Sequence, residues 1–415
     1  MALPPGNDTI AAIATAPGVG AVGIVRVSGP EALEVADRLF RPASGCTPSG
    51  IPAGRVTFGR IVENGEILDE ALLLTFRAPH SYTAQDVIEL QTHGGPAVLR
   101  EVLSACVRSG ARLAGPGEFT LRAYLSGRID LVQAESVLGL VNAQSDTARR
   151  QANFGLSREL SARLGEIQSR LTRVYGNLQA VFDYPEEGVE ESERTVPLQE
   201  ALAAIDALLA TARAGSIATR GARLALVGRP NAGKSSLLNA LVGYERSLVS
   251  DTPGTTRDYL EAPLQIAGVP LTAIDTAGIR ETGDAIEASG VARARELAAQ
   301  ADLALCLIEG DQPLGEEELA LAGSLDPQRT IFIASKADLP RRWDEQDLQA
   351  PGGAPLLAVS TVDGSGLEEL QELIAGKLIG DAGGSELWIT SERHSEALQQ
   401  ARTLVENALH APDDL

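Results

Sequence analysis

The sequence predicts a multidomain protein that combines two α/β domains with a helical bundle. Its length of 415 residues exceeds what one small hydrophobic core usually organises. Short apolar runs broken by Gly and Pro give way to helical periodicity after about residue 119, and strands alternate with helices after about residue 222. Helical periodicity returns after residue 385, which indicates that the second α/β domain is inserted into a helical domain.

Residues 1–118 predict a small mixed α/β domain. The runs AVGIVRVSG, RVTFGRIV and EALLLTF are rich in β-branched and apolar residues and are typical of strands. The stretch PAVLREVLSACVRSG predicts a helix, with Val98, Val102 and Val107 among its buried residues.

From about residue 119 to residue 213 the pattern is helical. The longest helix carries an apolar stripe at alternating spacings of four and three, which predicts packing in a bundle core. The stripe consists of Leu160, Leu164, Ile167, Leu171, Val174, Leu178 and Val181. The acidic DYPEEGVEESE breaks this helix, VPLQEALAAIDALLATARAG predicts another, and GSIATRG predicts a linker.

Strands alternate with helices from RLALVG to about residue 380. The apolar runs LTAID, LALCLIEG, TIFIAS and LLAVS predict strands of a mainly parallel sheet. SERHSEALQQARTLVENALHA predicts a last helix that rejoins the bundle, and we assign Trp388 to a core or an interface. The expected domains are 1–118, 119–215 (helical, first part), 216–380 (inserted) and 381–415 (helical, return).

Composition restricts the class of protein. A net charge of −21 argues against a broad nucleic-acid-binding surface, although a local contact with RNA stays open. No basic segment precedes an apolar one at the N-terminus, and no uninterrupted apolar stretch approaches the roughly 20 residues that span a bilayer. Cys46, Cys106 and Cys306 have no metal-ligand spacing. We therefore expect a cytoplasmic protein without a membrane segment.

A phosphate-binding loop is predicted by GRPNAGKS, which matches Gly-x-x-x-x-Gly-Lys-Ser between a predicted strand and a predicted helix. Gly228 and Gly233 let backbone amides surround phosphate oxygens, Lys234 supplies charge at the β- and γ-phosphates, and Ser235 can hold Mg²⁺. Only three of the 35 basic residues are lysines, and two of them, Lys234 and Lys336, lie in candidate nucleotide contacts.

Three further motifs follow in the order expected of a GTP-hydrolysing switch protein. DTPGTTRD offers Thr256 as a second hydroxyl for Mg²⁺, and DTAG offers Asp275 for the water shell of the metal and the Gly278 amide for the γ-phosphate. SKAD offers Asp338 to the N1 and 2-amino groups of guanine, which adenine cannot match. The candidate nucleotide-binding residues are Asn231, Ala232, Gly233, Lys234, Ser235, Ser236, Ser250, Asp251, Thr252, Pro253, Gly254, Thr255, Thr256, Asp275, Thr276, Ala277, Gly278, Ser335, Lys336, Asp338, Ser360 and Thr361.

Three positions depart from the common GTPase pattern. Ser335 stands where Asn is usual, which predicts weaker guanine binding, and Thr361 stands where Ala is common. Ile279 stands where many switch proteins have a Gln that orients the attacking water. The group that positions the water must therefore lie elsewhere.

These motifs, together with DTIAAIATAPGVGAVGIVRVSG, ELQTHGGP and PGEFTLRAYLSGRIDL, resemble the MnmE (TrmE) family of tRNA modification GTPases over roughly residues 8 to 410. The resemblance implies an N-terminal folate-binding and dimerisation domain, a helical domain and an inserted P-loop GTPase domain. It also implies a homodimer that works with the FAD-dependent partner MnmG, as a heterotetramer. Together they would add a carboxymethylaminomethyl or aminomethyl group to C5 of the wobble uridine of certain tRNAs.

The resemblance also implies which group orients the attacking water in place of the missing Gln. Two GTPase domains would meet across a potassium ion, and Glu287 would orient the water, with Lys234 and Gly278 completing the catalytic set. The potassium ligands implied are Asn231, Ser250, Thr252 and Thr255. Arg257 and Arg280 lie in switch segments and remain alternative sources of positive charge at the γ-phosphate.

The folate assignment rests on the resemblance. Arg26, Glu89 and Arg128 match folate-contacting positions and imply binding of 5-formyl- or methylene-tetrahydrofolate, whereas the residues alone also fit structural ion pairs. The family ends in a Cys-x-Gly-Lys tail tied to modification chemistry, but this sequence ends in HAPDDL with no cysteine after Cys306. We expect GTP hydrolysis without the tail, and we do not expect these 415 residues as they stand to complete tRNA modification.

A second function remains open at this stage, namely a potassium-activated GTPase that acts in ribosome assembly without folate chemistry. Such factors usually carry basic RNA-binding appendages. Residues 1–118 contain nine Arg and no Lys against 12 acidic residues, which favours the folate-dependent function.

Overall fold

The computed structural model of the chain describes residues 8–143, 145–184, 194–245, 261–274, 290–348, 353–380 and 388–411. The chain divides into two compact units, Met1–Val137 and Leu138–Leu415. The four-domain division expected from the sequence stays a prediction.

The first unit is built on a seven-stranded sheet. Its elements in chain order are β1 (Ile10–Ile13), β2 (Val22–Ser28), α1 (Ala32–Leu39), β3 (Phe40–Pro42), β4 (Val56–Glu63), β5 (Glu66–Phe76), β6 (Val87–His93), α2 (Pro96–Arg108), β7 (Arg112–Leu113) and α3 (Glu118–Leu125). The strand order is β3-β4-β5-β6-β2-β1-β7, and every neighbouring pair is antiparallel except the parallel pair of β1 and β7.

Helices α1 and α2 supply much of the core of this unit. Val102 of α2 is buried as expected, and Val98 and Val107 are only half-buried, because Leu99, Ala105 and Cys106 form the innermost face of the helix. On β4 and β5 the residues alternate between this core and the outer face, where Val56, Phe58 and Leu72 remain exposed. Alternation of period two is what an antiparallel sheet with one covered face requires.

The second unit combines helices with a six-stranded sheet. Helix α4 (Leu131–Val141) includes the boundary between the units, and α5 (Asp146–Leu156), α6 (Glu159–Asp183), α7 (Thr195–Leu209) and α8 (Ala212–Arg220) follow it in sequence. Then follow β8 (Ala222–Val227), α9 (Lys234–Glu245), β9 (Glu261–Ile266), β10 (Val269–Ile274), α10 (Gly290–Gln300), β11 (Leu303–Glu309), α11 (Glu316–Ser324), β12 (Thr330–Ser335), α12 (Glu345–Leu348), β13 (Leu356–Val359), α13 (Leu367–Ile379) and α14 (Glu392–Leu409).

This second sheet confirms the expected mainly parallel architecture. Its order is β13-β12-β11-β8-β10-β9, and only the hairpin of β9 with β10 is antiparallel. Both faces are covered, since Leu224 and Leu226 of β8 belong to one apolar cluster and Ala225 and Val227 belong to the other. Strands buried on both faces explain the continuous apolar runs in the sequence.

The apolar stripe of α6 forms bundle core only in its first half. Leu160 and Ile167 are buried, whereas the other five stripe residues are half-buried. The reason is that α6 packs mainly against α5 and α7. Tyr175 and Phe182 near the end of the helix are 66% and 80% exposed.

The linker predicted at GSIATRG is wrong, because these residues continue α8. Gly215, Ile217 and Ala218 are buried where α8 packs against α5, α13 and β10. Trp388 is buried against Ala214 and Ala218, which confirms its core assignment.

The run Thr195–Arg220, which includes α7 and α8, meets the length and composition of a membrane-spanning helix, with 44% of its apolar window buried. Buried bundle helices meet the same criterion, so this run is weak evidence for a membrane segment.

Candidate functional site

A tight loop joins β8 to α9 at the carboxyl end of the parallel strands, where open α/β sheets bind ligands. Gly228 has φ +142°, a conformation that favours glycine, and a Cβ there would meet the carbonyl oxygen of Leu307 in β11. Asn231 and Gly233 also have positive φ, at +68° and +90°. This backbone curls the loop, so GRPNAGKS has the predicted strand–loop–helix context.

The Lys234 side chain folds back over this loop. Its Nζ donates to the carbonyl oxygens of Gly228 at 2.7 Å and Arg229 at 2.6 Å. Burial lowers the pKa of Lys234. The ammonium group therefore sits directly at the loop, where it can pair with anionic oxygens in place of the two carbonyls.

Arg229 anchors the loop from outside, which sequence reasoning did not anticipate. Its guanidinium donates to Glu318 at 3.1 Å and pairs with Glu317 at 3.4 Å, both in the first turn of α11. The only sequence signal is the acidic start of α11, which is also common at solvated helix ends.

The second half of the site lies at the end of β12. Ser335 is buried, and its hydroxyl donates to the carbonyl oxygen of Ile308 at 3.3 Å. Lys336 has φ +59° and forms ion pairs with Glu309 and, at 3.5 Å, with Asp311. The SKAD segment is thus tied to the end of β11.

Asp338 is oriented by the following loop. Its Oδ1 accepts the Ser360 hydroxyl at 2.8 Å, and the Ser360 oxygen in turn accepts the Val362 amide at 3.1 Å. A carboxylate offers about four lone-pair positions, so Asp338 keeps the capacity to accept further donors.

A cavity of about 350 Å³ connects the two halves. Its polar lining includes Asn231, Gly233, Ser236, Ser335, Lys336, Asp338 and Thr361, with Leu307, Ile333 and Val359 among the apolar residues. Ala232 is buried in the adjoining core, and Ser235 lies in the first turn of α9. The volume is in the range of small-molecule sites. Phosphate-loop and base-loop candidates that are about a hundred residues apart in sequence therefore line one cavity.

Several candidates lie outside the described residues: Ser250, Asp251, Thr252, Pro253, Gly254, Thr255, Thr256, Asp275, Thr276, Ala277, Gly278 and Glu287, together with Ile279, Arg257 and Arg280. Across the described ranges, no group of three or more His, Cys, Asp and Glu side chains is arranged to hold a metal ion. The described metal-ligand candidates are an amide and a hydroxyl, Asn231 and Ser235.

The three folate candidates converge in the first unit. Arg26 and Glu89 lie directly opposite each other on β2 and β6, with Nε–Oε1 at 2.8 Å and Nη2–Oε1 at 2.7 Å. The guanidinium carbons of Arg26 and Arg128 lie 5.6 Å and 5.4 Å from the centroid of the Tyr82 ring. Sequence reasoning missed Tyr82, although it stands in the polar SYTAQD segment just before β6.

A buried ionic network lies beside this cluster. Arg122 and Glu118, both at most 5% exposed, pair at 3.0 Å, and Arg122 also reaches Asp8 at 2.7 Å. Arg112 pairs with Asp8 and Glu118, and its hydrogen bond lowers the pKa of Glu118 to about 2. The network fixes the start of α3.

Comparison with known proteins covers nearly the whole chain. Residues 9–128 match the family model of the GTP-binding protein TrmE N-terminus, and residues 131–414 match that of the MnmE helical domain. The tRNA modification GTPase MnmE of a Thermus thermophilus strain is 50% identical over 413 residues, which are 99% of this chain and 91% of that protein. The protein of the same name from Moorella thermoacetica is 42% identical over 424 residues, with 99% and 92% covered.

Among solved structures, the G domain of the T. maritima FeoB iron transporter is 30% identical to 37% of this chain, with 97% of that domain covered and a TM-score of 0.27.

Proposed function

This chain belongs to the MnmE family of tRNA modification GTPases, and from that membership we propose that it is a potassium-activated GTPase that takes part, with a one-carbon tetrahydrofolate, in the modification of tRNA. The product would carry a carboxymethylaminomethyl or aminomethyl group on C5 of the wobble uridine. The single observation that carries the folate part is the packing of Arg128 and of Arg26, which is paired with Glu89, on one aromatic ring.

Within the nucleotide cavity, Lys234 and the loop amides bind the phosphates, and Asp338 binds the base. Lys234 exchanges its bonds to two loop carbonyls for bonds to the β- and γ-phosphates, and the amides of the curled loop surround the phosphate oxygens. Asp338, held by Ser360, accepts hydrogen bonds from N1 and the 2-amino group of guanine. These interactions bind GTP and exclude ATP.

Two cations fit the donor chemistry of this segment. Ser235 and Thr256 offer hydroxyl oxygens, which suit Mg²⁺. Asn231 offers an amide oxygen for K⁺, and Ser250, Thr252 and Thr255 are the other proposed ligands of this ion. When bound, the cations supply positive charge next to the transferring phosphoryl group. Asn231 supports this role because it lines the cavity at the curled loop.

Glu287 orients the attacking water, since the side chain of Ile279 can neither donate nor accept a hydrogen bond. Lys234 and the Gly278 amide stabilise the charge that develops on the γ-phosphate. Arg257 and Arg280 then anchor the switch loops and are not the source of the activating charge.

We further propose that the chain works as a homodimer, in a complex with an FAD-dependent MnmG-type partner, on tRNA in the cytoplasm. The similarity to tRNA modification GTPases supports the RNA substrate. The net charge of −21 supports an arrangement in which the more basic partner holds most of the RNA.

The decisive experiment is wobble-nucleoside analysis of tRNA from cells with and without this protein. Loss of the C5 modification in the deletion strain, restored by the gene and not by its Arg26→Ala variant, supports the proposal. Unchanged wobble nucleosides in the deletion strain contradict it.

A second experiment tests the cation. GTP hydrolysis by the purified chain should be several-fold faster in KCl than in NaCl at equal ionic strength. Equal rates in both salts would remove potassium from the mechanism.

A further inference from the structure

We propose that Tyr82 is a positioning residue of the folate site, whose ring holds Arg26 and Arg128 at a fixed separation. This inference rests on the proposed function, because it assumes that the cluster binds a tetrahydrofolate. It assigns a role to a residue outside the three charged candidates.

Arg26 and Arg128 share one aromatic ring. The guanidinium carbons of Arg26 and Arg128 lie over the Tyr82 ring at 5.6 Å and 5.4 Å from its centroid, within the range of cation–π contacts. Arg26 comes from the middle of β2, where its guanidinium carbon also lies 5.7 Å from the centroid of the Phe119 ring, and Arg128 comes from the segment after α3. The ring of Tyr82 contacts both guanidinium groups.

The Tyr82 ring is itself held in place. The Tyr82 hydroxyl and the Thr120 hydroxyl of α3 form a hydrogen bond of 2.9 Å. Thr83, the next residue, is buried and bonds to Ser28 of β2 at 2.7 Å. Tyr82 is therefore fixed to both α3 and the strand that carries Arg26. A ring fixed at two sides can set the position of flexible side chains that pack on it.

The charges of the cluster also favour this arrangement. Two guanidinium groups near one ring repel each other, and Glu89 offsets the charge of Arg26 through bonds of 2.7 and 2.8 Å. The electron-rich ring face lowers the cost of bringing the second cation close. The outcome is two cations packed on one ring, with a carboxylate bonded to one of them, which fits a ligand with an N–H-rich heterocyclic edge joined to an acidic tail. A neutral pterin has the N–H-rich heterocyclic edge but lacks the acidic tail.

The test compares two substitutions at Tyr82 in the full chain, with 5-formyltetrahydrofolate as the probe in calorimetric titration. Loss of two cation–π contacts of about 0.5–1 kcal/mol each weakens binding by about 5- to 30-fold in Tyr82→Leu. Tyr82→Phe keeps the ring and should bind within about threefold of wild type. Tyr124→Leu, at an exposed tyrosine of α3 in the same unit, serves as the matched control and should bind like wild type.

Non-additivity separates positioning from a merely structural role. Arg128→Ala should weaken binding about fivefold or more in the wild-type chain but less than about twofold in the Tyr82→Leu background. Full additivity of the two substitutions, or normal binding by Tyr82→Leu, would overturn the inference. The melting curve should remain that of the wild type in every variant, and the control Tyr124→Leu should also keep wild-type GTP hydrolysis.

Two further outcomes are informative. Absence of binding by the wild-type chain would contradict the proposed folate function itself, whereas wild-type binding with an unaffected Tyr82→Leu would contradict only the role of Tyr82. If Tyr82→Leu does not fold, the affinities of Tyr82→Phe and Arg128→Ala for 5-formyltetrahydrofolate test the inference instead. A tenfold loss in Tyr82→Phe overturns the inference, and near-normal binding beside a weakened Arg128→Ala supports it.

Discussion

Replacement of Asp338 by Asn should change the base preference of the nucleotide site from guanine to xanthine. The substitution keeps the shape of the side chain and an oxygen that can still accept the Ser360 hydroxyl, which lies 2.8 Å from Oδ1. The loop from Ser360 to Val362 should therefore stay in place. What changes is the hydrogen-bonding character of the group that faces the cavity.

The magnitude follows from the bonds lost. A carboxylate accepts the N1 and 2-amino hydrogens of guanine through two hydrogen bonds of about 1.5–3 kcal/mol each. An Asn amide can satisfy at most one of these donors and directs its own N–H toward the other. The loss is about 3 kcal/mol or more, which is a fall of about 100-fold or more in GTP affinity. Xanthine carries a carbonyl at C2, so the same amide should favour it.

The assay is a competition titration of a fluorescent guanine nucleotide with GTP and with xanthosine triphosphate, for wild type and variant. The control is Asp363→Asn, an exposed acid of the same loop that does not line the cavity and should leave both affinities unchanged. The assignment of Asp338 as the residue that recognises guanine would be refuted by two results together. Asp338→Asn would bind GTP within about fivefold of wild type, and it would bind xanthosine triphosphate no more tightly.

Three other substitutions test the catalytic water, the phosphate loop and the ionic network. Glu287→Ala should nearly abolish phosphate release while nucleotide affinity stays normal, and normal turnover would contradict its role in orienting water. Gly228→Ala should lower the free energy of unfolding by about 2 kcal/mol or more in a denaturant titration, because φ +142° and the Leu307 carbonyl both oppose a Cβ. Glu118 has its pKa lowered from 4.5 to about 2 by Arg112, so its contribution of up to about 3 kcal/mol is present above pH 4.5 and is lost as pH falls toward 2. In Glu118→Gln the free energy of unfolding should fall less between pH 4.5 and pH 2 than in the wild type. An unchanged pH dependence would contradict the prediction.

The sheets could be predicted from sequence because their strands are local patterns. RLALVG, LALCLIEG and TIFIAS are continuous apolar runs, and the structure places β8, β11 and β12 there with parallel pairing. The phosphate loop was predictable for the same reason, since its glycines and Lys234 are neighbours in sequence. Both features depend on short segments whose chemistry is visible without the tertiary structure.

Features that depend on distant parts of the chain could not be predicted. Tyr82 meets Arg26 and Arg128 only after β2, the loop before β6 and the segment after α3 come together. The linker prediction failed because a short segment rich in Gly, Ser and Thr favours a loop by composition, whereas packing against α5, α13 and β10 makes it a helix. The half-burial of the later part of α6 depends on which neighbours surround it, which periodicity does not reveal.

The close approach of α8 to the segment at Ile389 has a topological consequence. The Ile389 amide donates to the Thr211 hydroxyl at 3.1 Å, and Gly215 leaves no space for a Cβ beside the Ile389 carbonyl. The chain thus leaves the helices for the six-stranded sheet and returns from it at almost the same point in space. Helix α8 and the segment at Ile389 thus hold the two ends of the inserted region side by side, so an insert of any length between these two positions would leave the host helices with the same pair of ends to join.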